Sequence, residues 1–282
     1  ALLPAFVREV PVGRIVTSPP PGMGVPRLGP VTMPASPKRR KRERVNQRFA
    51  DAVVEELALS GPRTLFSMAC RPGYRDPRPY RWSGFDVDTQ FTYRVDLDEQ
   101  TPADVRAGAS KSLRREIDDA AELDVTVERE GVDALRRVFE ETRERYVEQG
   151  ESFPQTWEYV RDLFQALGER ARVYVVRDAA GSFVTGVTVL YSPEDAYFWQ
   201  GGSRAVHDGV AVNSLLHWRV LEDIAEDPPT PSVSRYDLHG ANTERLCRYK
   251  SKFGGDLVPY HVVDTGGLRM DAAKWAYDRF LR

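Results

Sequence analysis

From residue 132 to residue 263 the apolar positions change rhythm repeatedly, and each change marks a predicted element. Leu135, Val138, Phe139, Thr142 and Tyr146 recur at the steps of one helical face, and Trp157, Val160, Phe164 and Leu167 form a second face of that kind. Arg172 to Arg177, Phe183 to Leu190 and Asp195 to Gln200 are short and rich in branched and aromatic residues, so three strands follow, with a turn at Asp178 to Gly181. Ala211 to Ile224 returns to helical spacing through Leu215, Leu216, Trp218 and Leu221. Ser234 to Leu238 then alternates like a half-buried strand. His239 to Asn242 is a turn, and Leu246, Tyr249 and Phe253 share one face of a short helix capped by Asn242 or Thr243. Gly254-Gly255 ends that helix, and Leu257 to Val263 is a last strand. Asp271 to Phe280 has the spacing of a closing helix, with Ala272, Trp275, Ala276 and Phe280 facing in.

The first 128 residues are less regular. Ala1 to Val16 holds short strand-like pieces, and Ser18 to Pro37 is a Pro- and Gly-rich loop. The basic run Lys38 to Arg44 opens an amphipathic helix with Val45, Phe49, Val53, Val54 and Leu57 inward. Positive charge at a helix start opposes the macrodipole, which points to an anionic partner such as phosphate; a solvated basic loop is the plainer account. Thr64 to Ala69 and Phe91 to Leu97 read as strands and Arg71 to Arg81 as a surface loop. One helix is expected from Thr101-Pro102 to about Leu123, followed by a strand at Val125 to Val127.

Composition narrows the class without naming an activity. The chain has 282 residues, 41% hydrophobic and 29% charged, with a net charge of −2. That is ordinary for a globular protein of one or two domains and excludes a globally basic nucleic-acid binder, though not a local basic patch. Cys70 and Cys247 fit a reduced cytoplasmic protein or a single disulfide. The four histidines are scattered, so no metal centre is indicated, and no apolar run is long enough to span a bilayer. The chain starts with Ala1, not Met, inside an apolar segment, so the expectation is a removed leader or a missing N-terminal piece, and localisation is open at that end.

Two phrases carry a resemblance. One is Tyr236-Asp237-Leu238-His239-Gly240 followed by Tyr249-Lys250-Ser251-Lys252-Phe253-Gly254; the other is Thr92-Tyr93-Arg94-Val95-Asp96-Leu97. They resemble the FemAB-like family of aminoacyl and peptidyl transferases, in which an aromatic-Asp-x-x-Gly strand end, a helix and Phe-Lys-x-x-Phe-Gly close the second acyltransferase domain. Here Tyr249 stands where that family has Phe. The resemblance implies an α/β protein of the GNAT-like acyltransferase fold in tandem. An incomplete first domain would span residues 1–128, a complete second domain 129–264, and a closing helix 265–282. The order helix, helix, three strands, helix, strand, helix, strand fits the second domain.

The same resemblance implies an N-acyltransferase. It would use aminoacyl-tRNA as donor and an amine-bearing acceptor, with no cofactor beyond the acyl donor as co-substrate. GNAT proteins that use acetyl-CoA hold its pyrophosphate on a loop of the form Gln/Arg-x-x-Gly-x-Gly/Ala before a helix. The matching stretch here, Gln200-Gly201-Gly202-Ser203-Arg204-Ala205, has Ser203 where Gly is required. That favours the tRNA donor over the alternative, an acyl-CoA-dependent enzyme. A non-catalytic GNAT-like module that binds a partner, for instance RNA through Lys38 to Arg44, is the third reading.

Lys250 is the candidate donor to the oxyanion; alternatively its stem covers apolar surface while the ammonium reaches water. Asp237 either orients or deprotonates the amine or caps the turn to Gly240. Trp199 and Gln200 end the strand where GNAT domains splay to admit the acyl group; for Trp199 the plainer account is a core position. Tyr249 keeps the ring of the motif. Arg248 and Lys252 flank Lys250 as phosphate contacts or as solvated charge, and His239 is a second titratable group beside Asp237.

Overall fold

The computed structural model describes residues 1–267 apart from 12, 34, 35 and 203. In chain order the elements are β1 (Phe6–Val10), β2 (Gly13–Ser18), α1 (Arg39–Glu56), β3 (Thr64–Ala69), α2 (Arg78–Trp82), β4 (Asp86–Asp96), α3 (Pro102–Gly108), α4 (Lys111–Ala121) and β5 (Val125–Glu130). There follow α5 (Val132–Glu148), α6 (Trp157–Leu167), β6 (Ala171–Asp178), β7 (Phe183–Tyr191), β8 (Asp195–Gly201), β9 (Val206–His207), β10 (Val210–Ala211), α7 (Asn213–Glu226), β11 (Arg235–Asp237), α8 (Glu244–Lys250) and β12 (Asp256–Asp264). The closing helix expected at 271–280 lies outside the described residues.

The chain divides into two compact units, Ala1–Phe91 together with the segment from Val258 onward, and Thr92–Leu257. This division differs from the sequence-based segments 1–128 and 129–264, because β4 and β12 each have residues in both units.

In the first unit β1 pairs antiparallel with β2, β2 parallel with β3, and β3 antiparallel with the end of β12, where Met68 stands opposite Val263. Val16, Phe66 and Met68 project from the strands onto Ala50 and Val53 of α1, and Tyr80 and Phe85 close the same core. The stretch 71–81, expected as loop, contains the start of α2. Pro79 sits in its first turn, where a missing N–H costs nothing, and Tyr80 is fully buried.

In the second unit the strands lie in the order β4-β11-β8-β7-β6-β5, antiparallel throughout except that β11 runs parallel to β8. Strand alternation sorts the core into two layers. Tyr174 and Val176 of β6 face α4 and α7, whereas Val173 and Val175 face α5 and α6. Helix α7 is the central one, with Leu215, Leu216, His217, Trp218, Val220, Leu221 and Ile224 all buried.

The helix expected from 101 to 123 is in fact two. Thr101 and Asp104 form a reciprocal capping box that starts α3. Ser110 then breaks the run: its hydroxyl accepts from Leu113 N at 3.1 Å and starts α4, while its own N–H donates to Lys252 O at 2.8 Å. The apolar spacing of Val105, Ala109, Leu113, Ile117 and Ala120 persists across the break, so periodicity alone concealed it.

Candidate active site

The strand-turn-helix segment 235–250 is built around one buried carboxylate. Asp237 ends β11 opposite Arg94 of β4 and Tyr197 of β8. Its side chain is 0% exposed, and Oδ1 accepts from Thr92 Oγ1 at 2.5 Å and from His239 N at 2.8 Å. Accepting from the amide two residues on is how an aspartate turns its own backbone. His239 and Gly240 follow with φ of +55° and +59°. The left-handed region costs a non-glycine residue about 1 kcal/mol, so the Asp237 bond offsets strain at His239. Thr243, not Asn242, caps α8 by accepting from Leu246 N at 3.5 Å.

Lys250, the last residue of α8, reaches back over this turn. It is 6% exposed, and its Nζ donates to the carbonyl oxygens of His239 and of Gly240, the latter at 3.0 Å. The Phe198 ring lies beside it, with its centroid 5.9 Å from Nζ. The ammonium is therefore interior and does not reach out to water along an apolar surface. An ammonium has three N–H donors, and the two carbonyls take two of them. Burial pushes the Lys250 pKa down to about 8; the Asp237 carboxylate opposes that shift, and the Arg145 guanidinium adds to it.

Aromatic packing fixes the helix. Phe253 is 1% exposed in a single 3-10 turn, Ser251–Phe253, where a continuing α-helix was expected. Its ring meets Tyr249 edge-on at 5.6 Å and His217 at 5.8 Å. His217 is buried against Phe198 at 4.8 Å, and its Nδ1 is 2.8 Å from Tyr236 Oη. Burial, reinforced by the Lys250 charge, pushes the His217 pKa down to about 3 and keeps the ring neutral. Nothing in the sequence signalled His217, because it sits within the apolar run of α7.

Gly254-Gly255 is required by close approach. A Cβ on Gly255 would come within 2.4 Å of Arg94 O, and one on Gly254 within 2.9 Å of Gly108 O, with Gly254 also at φ +74°. Gly255→Ala is therefore expected to destabilise the protein by about 1–3 kcal/mol, the usual cost of overpacking, and to lower its urea midpoint; an unchanged midpoint would contradict this packing.

The ladder between β8 and β11 stops at Tyr197–Asp237, while β8 continues to Gly201. Trp199 there packs against the buried cluster of Leu135, Val138, Phe139 and Val173 under α5 and α6, whereas Phe198 and Tyr249 pack against the other layer, so Trp199 does not join Lys250. Gln200 is 2% exposed; its Nε2 donates to Gln155 Oε1 at 2.5 Å, and among the described residues its Oε1 has no hydrogen-bond partner. Helix α5 supplies two polar groups that sequence reasoning missed, since only its apolar face was counted. Burial raises the Glu141 pKa, and a Cβ on Gly202 would touch its carboxylate. Burial lowers the Arg145 pKa, and among the described residues its Nε has no hydrogen-bond partner.

The two flanking cations behave differently. Arg248 is exposed and pairs with Glu244 one turn back, a solvated surface pair. Lys252 Nζ binds Glu116 Oε1 of α4 at 2.7 Å, and Glu116 Oε2 accepts from Ser214 Oγ of α7 at 2.7 Å, so Lys252 ties the end of α8 to two other helices. Ser203, in the expected phosphate loop, lies outside the described residues. Both cysteines are free thiols. Among the described residues no helix is long and apolar enough to cross a membrane, and no group of His, Cys, Asp or Glu is placed to hold a metal ion.

A family model described as "Acetyltransferase (GNAT) domain" matches residues 106–251, more than half of the chain, and spans Asp237, α8 and Lys250. No curated protein matches the sequence. Among solved structures, FemX superposes with a TM-score of 0.64 at 12% identity, over 96% of this chain and 85% of that one. The C-terminal domain (DUF2156) of a putative lysylphosphatidylglycerol synthetase from Agrobacterium fabrum gives 0.58 at 15% identity, over 98% and 84% of the two chains. L-PGS from Bacillus licheniformis gives 0.55 at 13%, over 95% and 83%. At such identities the likeness is one of fold, and it agrees with the FemAB-like resemblance of the two sequence phrases. The chain belongs to the GNAT acetyltransferase-domain family, and its α/β fold is shared with FemX.

Proposed function

We propose that the protein is an N-acyltransferase that moves an aminoacyl group from the ester of aminoacyl-tRNA to an amine-bearing acceptor. The observation that carries this reading is the buried Lys250 ammonium, beside the end of the β11 ladder, with two N–H groups committed to carbonyls and one to spare. The neutral acceptor nitrogen attacks the ester carbonyl carbon, and the carbonyl oxygen gathers negative charge that the third Lys250 N–H stabilises. The tetrahedral intermediate collapses by breaking the C–O bond to the ribose; the proton lost by the nitrogen balances the one gained by the ribose hydroxyl. The products are an amide and free tRNA. Asp237 acts from behind, holding the turn whose carbonyls aim Lys250. The donor is a co-substrate and not a resident cofactor, and its use places the reaction in the cytoplasm.

An acyl-CoA donor is the second reading, favoured by the description of the matching family model. The Gln200–Ala205 stretch, which lacks the usual glycine spacing, weighs against it. One assay separates the two. The protein is incubated with an amine panel and either charged tRNA or acetyl-CoA, and ester loss and thiol release are followed. Amine-dependent loss of the tRNA ester is expected. Thiol release without ester loss would replace this reading by the second, and turnover of neither donor would leave a binding module.

A further inference from the structure

The first unit holds a cavity of about 830 Å³ between the start of α1 and the segment 73–78, lined by Arg39, Arg42, Arg75 and Arg78 with Phe49 and Tyr74. That volume falls within the range of small-molecule sites, roughly 300–1,000 Å³. Its charge is not internally balanced. Glu43 takes Arg39 at 3.1 Å and Arg78 at 3.0 Å, and Asp76 takes Arg78 at 2.6 Å. Among the described residues no carboxylate pairs with Arg42 or Arg75, both exposed; Arg42 donates only to the carbonyls of Ser36 and Pro37. Arg40, Lys41 and Arg44 stand exposed on the same helix turns and raise the local potential further, in a chain whose net charge is −2.

A further feature points the same way. Helix α1 is 18 residues long, and its first turn has no side-chain cap and no acidic residue, so its unsatisfied N–H groups and positive dipole end add to the arginines. Tyr74, 4% exposed, and Asn46, whose Nδ2 donates to Asp76 O at 2.8 Å, complete the lining with polar groups.

We infer that this cavity binds a phosphate ester, with Arg42 and Arg75 as its principal anion contacts and Arg39 and Arg78, preset by Glu43 and Asp76, as its walls. Guanidinium groups suit phosphate because their planar forks donate two parallel hydrogen bonds. The chemistry is common to a free phosphorylated small molecule and to a phosphate within an RNA strand. The inference does not rest on the acyl-transfer reading, since every lining group belongs to the first unit.

Calorimetry with inorganic pyrophosphate, and fluorescence anisotropy with a short RNA oligonucleotide, both at low salt, test it. Wild type is expected to bind pyrophosphate. Arg42→Ala combined with Arg75→Ala should weaken binding at least tenfold. Arg40→Ala combined with Arg44→Ala, outside the lining, should change it less than twofold. RNA displaced by pyrophosphate would identify the polymer as the source of the phosphate, and RNA that does not bind would identify a free ester. All four arginines are exposed, so both double variants are expected to fold, and far-UV circular dichroism checks this. Absence of pyrophosphate binding, or an equal loss in both double variants, would overturn the inference, the latter because it marks a diffuse basic surface.

Discussion

Lys250→Met is expected to lower the turnover of aminoacyl transfer by about a hundredfold or more, the usual consequence of removing one oxyanion donor. The loss should fall on kcat, because the third N–H is used only once negative charge has developed on the carbonyl oxygen. Unfolding is not the expected cause. The downward shift to about 8 means that the charged side chain is held at a net cost of about 3 kcal/mol near neutral pH; an apolar side chain of similar length removes that cost but leaves the His239 and Gly240 carbonyls without their donor, at about 1 kcal/mol or more each, so the two effects largely offset. The sign follows from proton counting. Between about pH 8 and the ordinary lysine pKa, the unfolded chain holds a proton that the folded chain has released, so the Lys250 contribution to stability improves as pH rises and its burden is complete below pH 8. Urea unfolding of both proteins at pH 7 and pH 10 measures this. The variant should be close to wild type in stability at pH 7 and should fall below it at pH 10; a variant unfolded at pH 7 would assign Lys250 to the turn alone.

His217 should make the protein acid-labile. Its ring is neutral in the fold, with a pKa near 3, against 6.5 for a solvated ring. Between those values the unfolded state binds a proton and the folded state does not, so stability rises with pH across the window and is lost as pH falls below about 6.5. At full extent the loss is about 5 kcal/mol by pH 3, comparable to the whole stability of many domains. The groups facing the ring are Lys250, Tyr236, Tyr249, Phe198 and Phe253; Lys250 is the charged one, and it pushes in the same direction as burial. Carboxylates titrate in the same range, so the test is a comparison. Urea midpoints at pH 7, 6, 5 and 4 should fall more steeply in wild type than in His217→Gln, whose side chain can still bond Tyr236 Oη. Parallel slopes would remove His217 from the account.

The helix carrying Lys250 was legible because its contacts are local. Leu246, Tyr249 and Phe253 repeat at helical steps, and the double glycine marks the stop. Which way Lys250 points was not legible. Its direction is set by carbonyls made available only when Asp237 turns the chain at His239, and by Phe198, which comes from a strand about fifty residues earlier. Glu141 and Arg145 were invisible for a similar reason, since α5 presents them only through tertiary packing on β7 and β8. The break at Ser110 depends on Lys252 O, 142 residues away in sequence. The hairpin of β9 and β10 was a plain omission. Asp208-Gly209, with φ of +46° and +82°, is the two-residue turn that such a dipeptide favours. In the first unit the run Lys38 to Arg44 suggested an anionic partner or a solvated basic loop, and the sequence left the two open. Arg75 and Arg78 sat in a stretch taken for plain loop, and only folding brings the two sets to one cavity.

The pH profile of single-turnover transfer from charged tRNA tests the role of the Lys250 ammonium most directly. Wild type should lose rate as pH rises through about 8, where Lys250 sheds its proton, and Lys250→Arg, which keeps its charge, should show residual activity without that fall. The same descending limb in both proteins, or none in wild type, would contradict the account.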